Sequence, residues 1–239
     1  MLPVSSSLRL LAFDTSTESL SVAVSDGARV LECSGPGGAQ ASTTLLPMVL
    51  DLLRQAGLGL AQLDAIAFGC GPGSFTGLRT ACAVAQGLAF GTRAQRPEGV
   101  PLLPVDTLLA VADEARHMAG VSEVVAALDA RMNEVYAGHY RFVEGHWLQD
   151  GDFDLLAPEA LTVPDGWTLA GNAGAAYGGR LAGAPGLAVL PLATAMLRVA
   201  PQLLAAGLAV PAEQALPRYV RNKVAKTTAE RLAEKAATP

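Results

Sequence analysis

Aromatic side chains are sparse in this 239-residue sequence, at 5% against 51% for apolar types as a whole. A core short of rings and rich in Leu, Val and Ala suits helices and sheets that pack closely. Cysteine is scarce as well. Cys33, Cys70 and Cys82 are odd in number and show no C-x-x-C spacing, which argues against a disulfide framework or a zinc knuckle and for reduced, buried thiols. His117, His139 and His146 are the only histidines and no two stand at i and i+4, so a preformed metal site has little to draw on. A surface or half-buried role is expected of them. Membrane-length apolar runs of about 20 residues are lacking, because Leu8–Phe13 and Leu181–Leu192 are short or broken by Gly and Pro. A single Arg before a brief apolar run into Asp14 is not the plan of a secretory signal. These absences together lead to the expectation of a soluble, cytoplasmic chain with no membrane partner and no metal of its own.

What is present begins with an uneven charge. The formal total is −5, yet from Pro217 onward Arg218, Arg221, Lys223, Lys226, Arg231 and Lys235 stand against Glu230 and Glu234, a net of +4 that leaves −9 for the rest. Only this basic extension, residues 217–239, has the charge to contribute counterion release on an RNA backbone; a plain solvated extension is the alternative.

The apolar run at residues 8–14 reads as a buried strand. After the polar turn Thr15-Ser16-Thr17-Glu18, the alternation Leu20, Val22, Val24 reads as its hairpin partner. Val30 to Cys33 extends the sheet. From Ser42 to Ala56, apolar residues recur at helical spacing, with Ser42 or Thr44 as the expected N-cap and Gly57 as the stop. A strand at 65–70, a helix from Thr76 to Phe90, a strand at 100–105 and a helix at 107–118 complete a first lobe and its exit. The pattern of strand, Asp, polar turn and strand then recurs at Val124–Asp129 and Val135–Tyr140, which suggests a second related lobe with its Asp turn facing a shared cleft. Past Phe142 the signal weakens to a strand at 167–172 and a helix at 194–206. The expectation is an α/β protein with mixed sheets, with lobes at 1–105 and 106–216.

Two loops could carry chemistry. Gly71-Pro72-Gly73-Ser74-Phe75-Thr76-Gly77 ends a strand and opens a helix, where free amides and the helix dipole can hold a phosphate; Gly71, Gly73 and Ser74 are the candidates. No Walker lysine follows and G-x-G-x-x-G is not met, so a plain turn with Ser74 or Thr76 as a helix cap is the competing reading. Asp14 with Thr15, Ser16 and Thr17 could hold a hydrated cation and phosphate oxygens, or merely satisfy a tight turn, and Asp129 on the second hairpin is a further candidate for a nucleotide loop. On the helix after the glycine loop, Ala81, Cys82, Ala83, Ala85, Gly87 and Ala89 leave room for another helix to approach.

Leu11-Ala12-Phe13-Asp14-Thr15-Ser16-Thr17, the Gly71–Arg79 run, Ala127-Leu128-Asp129-Ala130-Arg131-Met132-Asn133-Glu134-Val135-Tyr136 and Leu216-Pro217-Arg218-Tyr219-Val220-Arg221-Asn222 together resemble the TsaB (YeaZ) family over nearly the whole chain. The resemblance implies two RNase H-like lobes of the actin-like ATPase superfamily. It also implies an accessory, non-catalytic subunit that binds a TsaD-like catalytic paralogue. With a TsaE-like ATPase, the two would support threonylcarbamoyl transfer to N6 of adenosine 37 in tRNAs reading codons that begin with A, and the isolated subunit would form a homodimer. ATP or ADP would belong to the complex interface. The metal-binding H-x-x-x-H of the catalytic paralogue has no counterpart in Val105-Asp106-Thr107-Leu108-Leu109-Ala110-Val111-Ala112, and Gln40-Ala41-Ser42-Thr43 stands where relatives often have a His. On this reading Leu45, Leu46, Val49, Leu53, Leu78, Ala81 and Ala85 are the expected contacts of partner or homodimer. The rival reading is a nucleotide-dependent phosphotransferase using Asp14, Ser74 and Asp129.

Overall fold

The computed structural model describes residues 8–181 and 186–220. The first sheet has the order β3-β2-β1-β4-β5, built from β1 (Arg9–Asp14), β2 (Ser19–Asp26), β3 (Val30–Pro36), β4 (Ala65–Gly71) and β5 (Leu102–Asp106). The hairpins β1–β2 and β2–β3 are antiparallel, while β1–β4 and β4–β5 are parallel. Helix α1 (Ala41–Ala56) connects β3 to β4, α2 (Phe75–Gly91) connects β4 to β5, and α3 (Thr107–Ala119) leads from β5 to the second sheet. The second sheet, β8-β7-β6-β9, is formed by β6 (Glu123–Asp129), β7 (Val135–Val143), β8 (His146–Leu156) and β9 (Thr168–Ala170), with α4 (Ala173–Tyr177) and α5 (Ala193–Ala205) after it. Mixed sheets and the repeated Asp-ended hairpin are as the sequence pattern anticipates. Among the described residues no helix is long and apolar enough to cross a membrane.

Side-chain alternation sorts the layers. Leu11, Phe13, Ile66 and Phe68 point from the first sheet into a core shared with α1 and α2. Leu10, Ala12, Ala65 and Ala67 point the other way, into a core with α3, α5 and the inner face of the second sheet. A strand covered on both faces reads as a continuous apolar run, which is why β1 and β4 stand out so clearly. The alanines lie where two helices press on one sheet. Helix α5 and the segment after it return to the N-terminal sheet: Ala193 N–H donates to Ser21 Oγ at 2.9 Å, and Val210 pairs with Leu102. Arg198 of α5 binds Asp113 and Glu114 of α3, each at 2.6 Å, so α3 and α5 are locked together between the sheets.

Helix termini show local chemistry at work. Asp106 caps α3, its Oδ1 accepting from Leu108 N–H at 2.8 Å. Gly57 closes α1 in the left-handed conformation, where a side chain would be strained. The expected cap at the start of α1 is different. Gln40 occupies that position without a side-chain bond, and the Ser42, Thr43 and Thr44 hydroxyls turn back to the carbonyls of Ala39 and Gln40.

Candidate functional site in the cleft between the lobes

A cavity of about 430 Å³ opens between the two repeated hairpins, lined from one side by Ser16, Thr17, Glu18, Gly73 and Ser74 and from the other by Asp129, Arg131 and Asn172. The sequence-derived candidates therefore divide. Ser16, Gly73, Ser74 and Asp129 meet at the cavity, whereas Asp14, Thr15 and Gly71 lie behind its wall.

Asp14 is fully buried. Its Oδ1 accepts from Ser16 N–H at 2.9 Å and Ser16 Oγ–H at 2.7 Å, and its Oδ2 has no hydrogen-bond partner. Burial is the leading cause that pushes this carboxyl up to about 6, against the two bonds from Ser16 that pull it down. Thr15 Oγ1 donates to the Gly77 carbonyl at 2.7 Å. The expected cation and phosphate contacts of Asp14 and Thr15 are thus corrected: both side chains are buried behind the cavity wall and do not line it.

The glycine loop is shaped by the same turn. A Cβ on Gly73 would stand 2.6 Å from that of Ser16, and one on Gly77 only 1.8 Å from the Thr15 carbonyl oxygen. Ser74 N–H donates to the Ser16 carbonyl at 2.7 Å, while Ser74 Oγ caps α2 by accepting from Gly77 N–H at 3.4 Å. The glycines answer a close approach of the protein's own backbone, and the Ser74 amide that a phosphate would use already has its acceptor. Ser74, of the two cap residues the sequence offers, is the one used.

On the facing wall, Asp129 Oδ1 accepts from Arg131 N–H and from the Tyr177 hydroxyl, both at 2.7 Å. Arg131, Met132 and Asn133 stand consecutively at φ of 61°, 55° and 59°, a conformation that costs about 1 to 2 kcal/mol for each residue with a side chain. The turn is held by Ala130 N–H to the Glu134 carbonyl at 2.9 Å and by Arg180 to Asn133 Oδ1 at 3.1 Å. No sequence signal marks this left-handed stretch beyond its Asp and Asn.

The cavity's remaining wall comes from Arg218, Tyr219 and Val220. Gln86 Nε2 donates to the Ala215 carbonyl at 3.0 Å, and Arg218 N–H donates to the Cys70 carbonyl at 2.7 Å. The Arg218 guanidinium reaches the second lobe, 2.7 Å from Asp152 and 4.0 Å above the Phe153 ring. Residues 215–220 therefore form a strap joined to both lobes. The basic residues from Arg221 on lie outside the described residues. Among the described residues no three His, Cys, Asp or Glu side chains converge as metal ligands would.

The family model described as TsaD, tRNA N6-adenosine threonylcarbamoyltransferase, matches residues 38–238. The tRNA threonylcarbamoyladenosine biosynthesis protein TsaB of Escherichia coli is 37% identical over 231 residues, covering 91% of this chain and 96% of that protein. The chain belongs to the TsaB family. TsaB of Haemophilus influenzae is 46% identical over 129 residues, 54% of this chain and 52% of that protein. The solved structure of YeaZ from Pseudomonas aeruginosa superposes with a TM-score of 0.81 at 42% identity, covering 89% of this chain and all of that one. The fold is accordingly that of the actin-like ATPase superfamily.

The expected interface residues require a correction. Leu45, Val49, Leu53, Leu78, Ala81 and Ala85 are all buried, and only Leu46 of the seven is exposed. The helices present other groups to solvent: Leu46 and Leu50, 41% and 49% exposed, on α1, and Ala83, Gly87 and Phe90 on α2. The rival phosphotransferase constellation likewise loses Asp14 to the interior.

Proposed function

We propose that this TsaB-family chain is an accessory subunit of the cytoplasmic machinery that installs threonylcarbamoyladenosine in tRNA, and that it supports a TsaD-like catalytic subunit together with a TsaE-like ATPase. The observation that carries the accessory role is the closure of the Asp14–Ser16 turn onto the Gly73–Gly77 loop. The Thr15 and Ser16 side chains and the Ser74 amide, which could serve a nucleotide in an open cleft, are bonded within the fold, so the turn acts as a brace for α2. This reading assigns any ATP or ADP to the assembled complex.

The partner surface in this proposal is the outward face of α1 and α2. Leu46 and Leu50 supply apolar area, and nothing lies within 4 Å of a Cβ placed on Gly87, which leaves a shallow surface that a facing helix can approach closely. The same face serves self-association of the isolated chain. Contact with tRNA comes through the complex.

Reconstitution of threonylcarbamoyl transfer on an unmodified tRNA, with the TsaD-like and TsaE-like proteins of the same organism, tests the proposal. Transfer is expected to depend on this chain, and the chain alone is expected neither to turn over ATP nor to modify tRNA. Transfer at full rate in its absence, or activity by the chain alone, overturns the accessory role.

A further inference from the structure

Glu18 and Asn172 line the cavity from opposite lobes, and each is held on a rigid mount. The Glu18 carbonyl accepts from Gly37 N–H at 2.8 Å, and a Cβ on Gly37 would stand 2.9 Å from the Glu18 carbonyl carbon, so this backbone moves only with the first sheet. On the second lobe, Gly171 stands at φ 128° and so near β6 that a Cβ would lie 1.9 Å from the Ala127 carbonyl oxygen. Next to it, Asn172 Oδ1 accepts from Asp129 N–H at 2.8 Å. That bond fixes the amide plane and leaves Nδ2 as the end that reaches across to the Glu18 carboxylate.

The two ends meet only at the limit of a hydrogen bond. Nδ2 lies 3.5 Å from Oε1 and 3.4 Å from Oε2 of Glu18, whereas a charge-assisted bond from nitrogen to a carboxylate settles at about 2.8 Å. Glu18 is exposed, so solvent competes for its carboxylate. Deeper in the molecule the sheets are tied differently. Tyr140 of β7, which is buried, donates to Asp106 at the end of β5 at 2.5 Å. Its ring lies over Gly138, where a Cβ would stand 2.9 Å from it, and the other Asp106 oxygen caps α3. One tie is short, buried and braced at both ends; the other is long, exposed and incomplete.

We infer that Glu18 and Asn172 form a latch between the lobes. The mouth narrows by a small rotation about the Asp106–Tyr140 tie, and the Glu18 carboxylate then takes a full hydrogen bond from Asn172 Nδ2. The latch thereby sets the distance between the wall of Ser16 and Gly73 and the wall of Asp129. It stands independently of which partner the chain serves.

The test reads the width of the mouth in the full chain from the dipolar coupling of two spin labels. These are carried by Ala39→Cys and Ala175→Cys, exposed positions next to Gly38 on one lobe and on α4 after Asn172 on the other. A Cys33→Ser background removes the half-buried thiol, and Cys70 and Cys82 are buried. Asn172→Asp keeps the Oδ1 acceptor for Asp129 N–H but sets a second carboxylate against Glu18. It is expected to lower the ratio of latched to open distances at least about fivefold, the size of one net hydrogen bond. Adding Glu18→Gln restores an amide–carboxylate pair with the roles exchanged, and the ratio is expected to return to within about twofold of the original, as coupled partners in a double-mutant cycle do. Thermal melts of the variants confirm that they fold. An unchanged distance distribution in Asn172→Asp overturns the latch. An opening that Glu18→Gln does not reverse also overturns it, placing the effect within the second lobe. Either result leaves the accessory role to be judged by the reconstitution above.

Discussion

Replacing Asp14 by Asn should change the pH dependence of stability as well as the stability itself. The carboxyl is fully buried, and its folded value is raised from 3.8 to about 6. Because the folded state holds this proton more tightly than the unfolded chain does, the stability it supplies is complete below about pH 3.8 and is lost as pH rises to about 6. At 1.36 kcal/mol per tenfold change in proton affinity, the whole effect is roughly 3 kcal/mol, of which about 2.5 falls between pH 4 and pH 7. Asn keeps the acceptor for Ser16 N–H and Oγ–H, but sets an amide where Oδ2 now lacks a partner, a cost of about 1 to 3 kcal/mol at every pH. Asp106, also raised by burial and hydrogen-bonded to the Tyr140 hydroxyl at 2.5 Å, contributes equally to both proteins and cancels. Urea denaturation from pH 4 to pH 7 should therefore show the variant gaining about 2.5 kcal/mol relative to wild type, with most of the change between pH 4.5 and 6.5. A difference that stays flat across this range would refute the burial argument, whatever its absolute sign.

Gly77→Ala should cost about 3 kcal/mol or more, because the new methyl meets the Thr15 carbonyl oxygen at 1.8 Å and overpacking outweighs the roughly 1 kcal/mol that Ala gains in a helix; an unchanged melting temperature would show that α2 is free to shift. Leu46→Glu/Leu50→Glu should fold as wild type yet bind the catalytic subunit, and itself, at least about tenfold more weakly, and wild-type affinity in a titration would remove α1 from the partner surface. Arg218→Ala breaks an ion pair between exposed groups, so the loss of stability should stay under about 1 kcal/mol. Hydrogen exchange at residues 216–220 should nevertheless quicken several-fold, and unchanged exchange would mean the guanidinium does not hold the strap.

Strands buried on both faces were legible because their apolar runs are unbroken, and the Asp-ended repeat located the second lobe. Strand β8 was not legible. Its sequence carries Asp150, Asp152 and Asp154, and among its residues only Trp147 and Phe153 are buried, so an edge strand with one dry face shows little alternation to read. Helix α4 is a single short turn and offers no period at all. The helical spacing of α1 and α2 was plain, but periodicity does not say which apolar face meets the sheet. Leu45, Val49 and Leu53 form the regular stripe and went to the core, while Leu46 and Leu50 sit one position off it. On α2 small residues surround the axis, and Ala81 and Ala85 lie on the buried face, whose start is fixed by the Thr15–Gly77 contact. That contact is long in sequence and leaves no local mark.

The two hairpins share one plan, strand, Asp, turn and strand, and differ in what the turn does. The second turn keeps Asp129 at the cavity, steadied by Arg131 and Tyr177. The first has turned Asp14 inward and bound its backbone to the start of α2 through Ser16 and Thr15. The far end of α2 is tied to the strap by Gln86, and the strap crosses to Asp152 in the second lobe. Helix α2 is thus contacted at its cleft end by the first hairpin and, through the strap, by the second lobe, so a change in the opening of the cleft would be felt at its solvent face. A partner seated on α1 and α2 would favour whichever cleft opening suits its own contacts, and a ligand in the cleft would favour the partner in return, since such coupling is reciprocal. That supplies a physical route by which a cleft with its phosphate loops closed can still matter to a reaction carried out elsewhere in the complex.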